Sequence, residues 1–267
     1  MSNIILKIIA KRDERVFKKG DVITFNLIKG SVNYLVGPNG SGKSTILHAI
    51  RAYKDSVFEN LDWNLCMETS RGLDINTYKG VFDIEGLENF KWVFSLDAVE
   101  DNPLHFMKAA TATALISGGG LTLSNKSRGE GTKFLFSRLI NSMIKITGAS
   151  LSNGKITNTP EEHSLIIIDE MDEGFDLKSQ STYHRLLNNL CNVFNATIIC
   201  VCHNPLCILY DPIGVLRPLL DMTDRKIKVI SEYIEQQTNK HIVMFDPNKY
   251  NEYNEYILWK TKNTTKK

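Results

Sequence analysis

The stretch Gly37-Pro38-Asn39-Gly40-Ser41-Gly42-Lys43-Ser44 matches the pattern G-x-x-x-x-G-K-S of a phosphate-binding loop, and Thr45 follows it directly. The mostly apolar run Val32–Val36 before it predicts a strand, and residues 44–51 after it predict a helix, which is the context that this motif requires. The glycines allow successive backbone N–H groups to turn inward and form a concave anion site at the positive end of the helix. Lys43 would contact the β- and γ-phosphates, and the Ser44 hydroxyl would hold Mg²⁺. The sequence therefore predicts a nucleotide-binding site at residues 37–45.

The composition is typical of a soluble globular protein. The chain has 267 residues, a hydrophobic content of 42% and a net charge of +2, so it is long enough for one large domain or a domain with an inserted lobe. The charge balance is too even to indicate nucleic acid by itself. No apolar run approaches the roughly 18 residues of a membrane span, and residues 4–10, interrupted by Lys7, predict a strand and not a secretory signal. We expect a cytoplasmic protein with no membrane segment in this chain.

A zinc site must be weighed, because Cys200, Cys202, His203 and Cys207 lie close together in the sequence. Cys200 and Cys202 belong to the strand pattern of residues 196–202, where a free cysteine behaves as a small buried hydrophobe. The sequence contains no C-x-x-C pair. The five cysteines also form no disulfide framework, which suits a reducing compartment. We predict that these cysteines are structural.

A second motif begins with the apolar run Leu165-Ile166-Ile167-Ile168 and ends in Asp169-Glu170. A strand without polar alternation is covered on both faces, as in the parallel sheet of an α/β fold. Asp169 at the strand end can bind the Mg²⁺ held by Ser44, through water, and Glu170 is the candidate general base for hydrolysis of the γ-phosphate. Residues 177–194 predict a helix and residues 196–202 the next buried strand, which implies a right-handed crossover.

These stretches together resemble the ABC-type ATPases. The run from Leu165 to Glu170 is similar to the Walker B strand of that family, and residues 171–176 have the spacing of its D-loop, which places Asp176 on its aspartate. His203, just after the predicted strand 196–202, resembles the switch histidine that contacts the γ-phosphate. The resemblance implies an α/β P-loop NTPase fold of ABC-ATPase type. Such a fold has a mostly parallel core sheet, N-terminal antiparallel strands and a small helical lobe.

The family's signature motif has a candidate in Ser127-Arg128-Gly129-Glu130, which resembles the S-x-G-E variant of L-S-G-G-Q. The apolar pattern of residues 132–146 predicts the helix that should follow such a motif. The resemblance implies that Ser127 and Gly129, with Glu130 beside them, bind the ATP held by the opposite subunit, so that the active site exists only in an ATP-dependent homodimer. Residues 117–120, Ser-Gly-Gly-Gly, are closer to the literal string, but no helix pattern follows them, and we interpret them as a glycine turn.

One expected residue of the family is absent. Transporter-type domains place a glutamine after a strand between the phosphate loop and the signature, where it binds Mg²⁺ and couples to the membrane partner. No glutamine occurs between Ser44 and Ser127. Ser95, which follows the strand pattern of residues 92–94 at the glutamine's position, and Asp97 are the candidate substitutes.

The domain organisation predicted from these motifs is a single ABC-type ATPase domain over residues 1–267. A lobe would be inserted at residues 53–126, between the phosphate loop and the signature, and residues 212–267 would hold C-terminal strands, at 226–233 and 241–245, and a tail. Lys11, Arg12 and Phe17 are candidates for adenine contacts, and each of them could equally be a surface or a core residue.

The signature variant and the acidic D-loop resemble the heads of SMC-type chromosome-maintenance and RecF-like recombination ATPases. They also resemble the compact stand-alone ATPases of bacterial defence modules and phage genomes. The implied function is Mg²⁺-dependent ATP binding and hydrolysis, which drives dimerisation around two ATP molecules and is read by a protein partner or by DNA. Two alternatives remain open: the ATP-binding subunit of a membrane transporter, and a nucleotide-gated sensor or clamp with slow turnover.

Overall fold

The computed structural model describes residues 2–53, 80–97, 128–152, 155–169, 177–202, 208 and 219–236. Within these residues the central element is a six-stranded sheet. Its strands, numbered in chain order and given in spatial order, are Lys226–Lys228 (β11), Leu219–Asp221 (β10), Val32–Val36 (β3), Ala196–Val201 (β9), Ser164–Asp169 (β8) and Trp92–Asp97 (β5). Neighbouring strands from β10 to β5 pair in parallel, and β11 is antiparallel to β10. The predicted mostly parallel core sheet is therefore confirmed.

The two faces of this sheet are covered by different elements, which explains its apolar strands. Every residue of β3, β8 and β9 is buried. Helices Arg128–Thr147 (α2) and Leu177–Val193 (α3) contribute to the hydrophobic cluster on one face. Helix Lys43–Tyr53 (α1) and a second sheet contribute to the cluster on the other face. A strand enclosed in this way has no solvent side and so shows no polar alternation.

The second sheet contains the predicted N-terminal antiparallel strands. Asn3–Ala10 (β1) lies between Val22–Ile28 (β2) and Phe82–Glu85 (β4), and both pairings are antiparallel. Side chains of β1 and β2 alternate between exposed and buried along the strand, because one face of this sheet packs on the core and the other faces solvent.

Residues 82–97, which fall inside the predicted lobe 53–126, supply one strand to each of the two sheets. The remaining parts of that range, residues 54–79 and 98–126, lie outside the described residues, so the helical lobe stays a prediction. A short antiparallel hairpin, Leu151–Ser152 (β6) with Lys155–Ile156 (β7), forms where the Ser- and Gly-rich stretch predicted a loop or hairpin. No helix among the described residues is long and apolar enough to span a membrane.

The predicted strand 226–233 is wrong in its second half. The strand ends at Lys228, and residues 230–236 form a helix. Ile230 and Tyr233 are buried three positions apart, which is a helical period and not the period of a strand. The Glu232 carboxylate accepts a hydrogen bond from the Val229 N–H at 3.3 Å and so satisfies one of the donors that a helix start leaves without a partner. The predicted strand 241–245 lies outside the described residues.

A buried ion pair joins the two C-terminal strands. The Lys228 ammonium on β11 donates to the Asp221 carboxylate on β10 at 2.6 Å and contacts Asp224 at 2.8 Å, and the Lys228 and Asp221 side chains are 7% and 1% exposed. Burial by itself lowers the pKa of Lys228, but the hydrogen bonds and charges of Asp221 and Asp224 outweigh it and raise the pKa. The lysine is therefore charged at neutral pH, and Asp221 depends on it for compensation.

We expect Lys228→Met to lower the free energy of unfolding by about 3–5 kcal/mol, because it leaves the Asp221 carboxylate buried without its cation. Lys226→Met is the matched control, since Lys226 lies on the same strand with an exposed side chain. The control should change stability by no more than about 0.5 kcal/mol. Urea unfolding of the two variants measures the difference. Equal midpoints would show that Lys228 does not compensate a buried charge.

Candidate nucleotide-binding site

The candidate site lies at one edge of the central sheet. Strands β3, β9, β8 and β5 are parallel neighbours, so their carboxyl ends meet at the same edge. Val36, Val201, Asp169 and Asp97 are the last residues of these four strands. In open α/β sheets, ligands bind outside the carboxyl ends of the strands.

The phosphate loop connects β3 to α1 and has the backbone that its glycines were predicted to allow. Gly37, Gly40 and Gly42 have φ angles of 140°, 79° and 93°, in a region that favours glycine. Gly42 is also constrained by packing, because a Cβ atom there would lie 2.5 Å from the ring of Phe17. The loop closes through hydrogen bonds from the Ser41 N–H to the Pro38 carbonyl and from the Ile46 N–H to the Gly42 carbonyl.

The loop holds the side chain of Lys43 in place. Lys43 is 4% exposed, and its ammonium donates to the carbonyl oxygens of Gly37 at 2.9 Å and Pro38 at 3.0 Å. These two bonds fix a positive charge beside the loop and next to the N-terminus of α1, where the helix dipole adds further positive potential. The arrangement is suited to an anion of high charge, as predicted for the phosphates of a nucleotide.

The donor atoms around the loop fit a Mg²⁺-bound nucleotide. Ser41 Oγ is buried and makes no hydrogen bond within the described residues, which leaves it available to a phosphate oxygen. Ser44 is partly buried in the first turn of α1, and Thr45 is fully buried beside it. Ser44 and Asp169 offer hydroxyl and carboxylate oxygens, the ligand type that Mg²⁺ prefers.

Asp169 meets two further side chains at this edge of the sheet. Asp97 is its direct neighbour in the register of β5 and β8, and helix α1 packs on both strands. His48 on α1 approaches them, with its Nε2 atom 3.5 Å from an oxygen of Asp97. These three residues, which we call the His48 cluster, each place one ligand atom within 4.8 Å of the other two.

The cluster lines a small cavity that also includes Ser95. Both candidate substitutes for the missing glutamine, Ser95 and Asp97, therefore line the same cavity as Asp169. Asp97 is the one that lies directly beside Asp169 and belongs to the cluster. His48 was not among the predicted site residues. The signal for it was a polar residue among the buried apolar neighbours Ile46, Leu47, Ala49 and Ile50 of helix α1.

Several predicted site residues lie outside the described residues: Glu170, Asp176, His203 and Ser127. Their roles stay predictions. For two of them the described neighbours lie at this edge, since β8 ends at Asp169, directly before Glu170, and β9 ends at Val201, two residues before His203. Helix α2 begins at Arg128, four residues earlier than predicted, and so includes Gly129 and Glu130 in its first turn.

The candidate adenine contacts have different environments. Phe17 is fully buried, packs edge-on against Phe82, and has the Arg225 guanidinium over its ring at 5.4 Å, so it is a core residue that offers no free face to a base. Lys11 pairs with Asp83 on the antiparallel sheet, and Arg12 is exposed. Val16, which is exposed and packs close to Gly42, is a neighbour of the loop that the sequence analysis did not identify.

The cysteines that raised the zinc alternative are core residues where the structure describes them. Cys200 and Cys202 are buried, and the Cys200 sulfur lies 3.6 Å from the Tyr183 hydroxyl. Cys207 and His203 are not among the described residues. Within the described part of the chain, the only group with the spacing of a metal site is the His48 cluster.

Comparison with known proteins gave one curated relative of note. Over 233 aligned residues, the chain is 25% identical to the lipoprotein-releasing system ATP-binding protein LolD of Buchnera aphidicola. The alignment covers 80% of this chain and 94% of that protein. No protein-family model matches the chain.

Solved structures with a similar chain trace include three from ABC transporters. The first is an inward-facing putative metal-chelate type ABC transporter, with 17% identity, coverage of 86% of this chain and 84% of that chain, and a TM-score of 0.44. The second is CbiO1 of Clostridium perfringens, part of the ABC transporter complex CbiONQ, with 15% identity, coverage of 92% and 97%, and a TM-score of 0.45. The third is the ADP conformation of MJ1267, an ATP-binding cassette of an ABC transporter, with 16% identity, coverage of 92% and 100%, and a TM-score of 0.46.

Proposed function

Since this chain is an ABC-type ATPase of the P-loop class, we propose that two copies bind two ATP molecules between them and that hydrolysis releases the dimer. The observation that carries the proposal is the phosphate loop itself. Its three glycines have positive φ angles, and its lysine is buried and fixed by two loop carbonyls. A protein partner or DNA would respond to the closed and open states of the dimer.

The chain's own groups account for the chemistry in the following way. Lys43 and the backbone N–H groups of the loop bind and orient the phosphates, so that the reacting bond is held in one geometry. Ser44 and Asp169 would hold Mg²⁺, which supplies positive charge to the phosphate oxygens. Glu170 would accept a proton from the attacking water, and His203 would contact the γ-phosphate. Asp176 would act from the D-loop.

The dimer follows from the proposed role of the signature. Ser127 and the first turn of α2, with Gly129 and Glu130, would bind the γ-phosphate held by the opposite copy. The N-terminus of a 20-residue helix carries partial positive charge, which supports a phosphate contact there. Because ATP would bind both surfaces only in the closed dimer, it would shift the population toward that state.

The second candidate function is the ATP-binding subunit of a membrane transporter, and the similarity to LolD supports it. The absence of a glutamine between Ser44 and Ser127 counts against it, since that residue couples transporter-type domains to their membrane partner. A permease gene beside the gene for this chain would favour the transporter. DNA binding that weakens steeply with salt would favour a DNA-linked ATPase. A third candidate, a nucleotide-gated clamp, would bind ATP with very slow turnover.

The signature assignment predicts the behaviour of Ser127→Arg. The bulky cation should leave ATP binding by each monomer unchanged and prevent the closed dimer, because Ser127 would contact only the opposite copy's nucleotide. ATP binding is measured with a fluorescent analogue, and dimerisation by light scattering. If Ser127→Arg dimerises with ATP as the wild type does, the signature lies elsewhere in the sequence.

A further inference from the structure

We propose that the His48 cluster (His48, Asp97 and Asp169) is a second divalent-cation site, selective for a transition-metal ion of the zinc class, which competes with hydrolysis because it engages Asp169. The binding claim stands on the geometry of the cluster alone. Only the competition with hydrolysis rests on the function proposed above.

The three side chains converge from three separate elements. Asp97 ends β5 and Asp169 ends β8, and these residues are direct neighbours in the parallel register. His48 comes from the middle of α1, which packs against both strands. Two carboxylates at one sheet edge and an imidazole above them are thus held by rigid elements and not by loops.

The spacing of the ligand atoms fits a single ion. Two ligand atoms that each lie 2.0–2.1 Å from a tetrahedral zinc are about 3.3 Å apart. His48 Nε2 and the nearest Asp97 oxygen are 3.5 Å apart, and all three ligand atoms lie within 4.8 Å of one another. Small side-chain rotations would therefore bring all three onto one ion.

Burial and charge favour a cation here. Asp97 and Asp169 are 6% and 4% exposed, so that two carboxylates lie side by side away from bulk water. They line a small cavity of about 10 Å³, which is about the room that one water needs. Arg51 also lines this cavity and contributes one positive charge, which the two carboxylates outnumber.

The donor set selects the class of ion. Mg²⁺ and Ca²⁺ prefer oxygen ligands throughout, whereas an imidazole nitrogen suits zinc and the other late transition metals. One nitrogen and two carboxylates give three protein ligands and leave a fourth position for water, as in zinc sites that are not fully enclosed by protein. A zinc-class ion bound by the His48 nitrogen and by the carboxylates of Asp97 and Asp169 would occupy Asp169. Asp169 could then not bind the Mg²⁺ that accompanies ATP.

Cobalt(II), a spectroscopic substitute for zinc, provides the test, with the full chain titrated in the absence of nucleotide. A thiolate ligand adds an intense near-ultraviolet charge-transfer band to cobalt, and a nitrogen–oxygen ligand set does not. We expect the wild type to bind one cobalt ion per chain at the His48 cluster without a thiolate charge-transfer band from that site. His48→Cys should bind cobalt and gain the band, because the new thiolate joins the same ion.

Loss-of-ligand variants complete the test. His48→Ala and Asp97→Asn should weaken zinc binding by more than about tenfold in calorimetry, since even changes outside the ligand shell cost 10- to 100-fold. Asp83→Asn, an exposed carboxylate of the antiparallel sheet, is the control and should bind as the wild type does. Thermal unfolding checks that every variant is folded. Unchanged zinc affinity in folded His48→Ala, or no new band in His48→Cys, would overturn the proposal and leave His48 and Asp97 as an ion pair only.

A separate measurement tests the competition. Zinc should inhibit ATP turnover by the wild type and should inhibit His48→Ala much less, each relative to its own rate without zinc. A chain that binds cobalt as described but shows no ATP turnover at all would contradict the proposed function and leave the metal site standing. Turnover without any difference in zinc inhibition between the two proteins would contradict the competition.

Discussion

Lys43→Ala is expected to abolish ATP binding. The Lys43 ammonium lies buried at the phosphate loop, and a hydrogen bond to a charged group contributes about 1.5–3 kcal/mol. If the ammonium contacts two phosphate oxygens, its removal costs about 3–6 kcal/mol, which corresponds to a loss of affinity of at least about 100-fold. Titration with a fluorescent ATP analogue measures the change.

Lys91→Ala is the matched control for this substitution. Lys91 is an exposed lysine that pairs with Glu162 just before β5, at the edge of the sheet opposite the phosphate loop. Its removal should leave the affinity for ATP unchanged. Because Lys43 also bonds the carbonyls of Gly37 and Pro38, the fold of the variant is checked by thermal unfolding. A folded Lys43→Ala protein that binds ATP as tightly as Lys91→Ala does would refute the assignment of the loop.

The second large effect is expected for Glu170→Gln, which should lower the rate of ATP hydrolysis by about 10²- to 10⁴-fold. The amide keeps the shape of the side chain and cannot accept the proton of the attacking water. ATP binding should persist, because Lys43, Ser44 and Asp169 are unchanged. Phosphate release under saturating ATP measures the rate.

Glu162→Gln controls for a general effect of removing a carboxylate near β8. Glu162 precedes β8 at the opposite end from Glu170 and pairs with Lys91 at 3.3 Å. It should hydrolyse ATP at the wild-type rate. If Glu170→Gln retains that rate as well, the general base is another residue, and the account of the chemistry given for this edge of the sheet is wrong.

Much of the fold could be predicted because the decisive signals are local. The runs of β3, β8 and β9 are mostly apolar and unbroken by turn residues, which is typical of strands that are buried on both faces. The phosphate loop is equally local, since its glycines, lysine and serine occupy adjacent positions. Its predicted backbone could therefore be compared directly with the observed φ angles of Gly37, Gly40 and Gly42.

The His48 cluster could not be predicted in this way. His48 and Asp97 are 49 residues apart in the sequence, and Asp97 and Asp169 are 72 residues apart. The register of β5 against β8 brings the two aspartates together, and the packing of α1 on both strands adds His48. No periodic pattern encodes which residue of one strand lies opposite which residue of another. Phe17 was uncertain for a related reason, because an aromatic residue in a loop is equally suited to a base and to the core until Gly42 and Phe82 are seen against it.

The predicted strand 226–233 was wrong in its second half for a different reason. Apolar and polar residues alternate in residues 226–233 sufficiently to predict a strand. Its partner β10 has only the three residues Leu219–Asp221, however, and the last pair in the register is Leu219 with Lys228, so the strand ends at Lys228. Beyond that point the buried positions Ile230 and Tyr233 pack better as a helix, which the Glu232 carboxylate stabilises at its start.

ATP-driven dimerisation is tested by the solution mass of Glu170→Gln, measured by light scattering with and without ATP and Mg²⁺. The variant should bind ATP without consuming it and so accumulate the state that ATP favours. We expect the mass of one 30.2 kDa chain without ATP and twice that mass with it, and no doubling when Ser127→Arg is added to the same chain. A mass that stays the same when ATP is shown to be bound would contradict ATP-driven dimerisation.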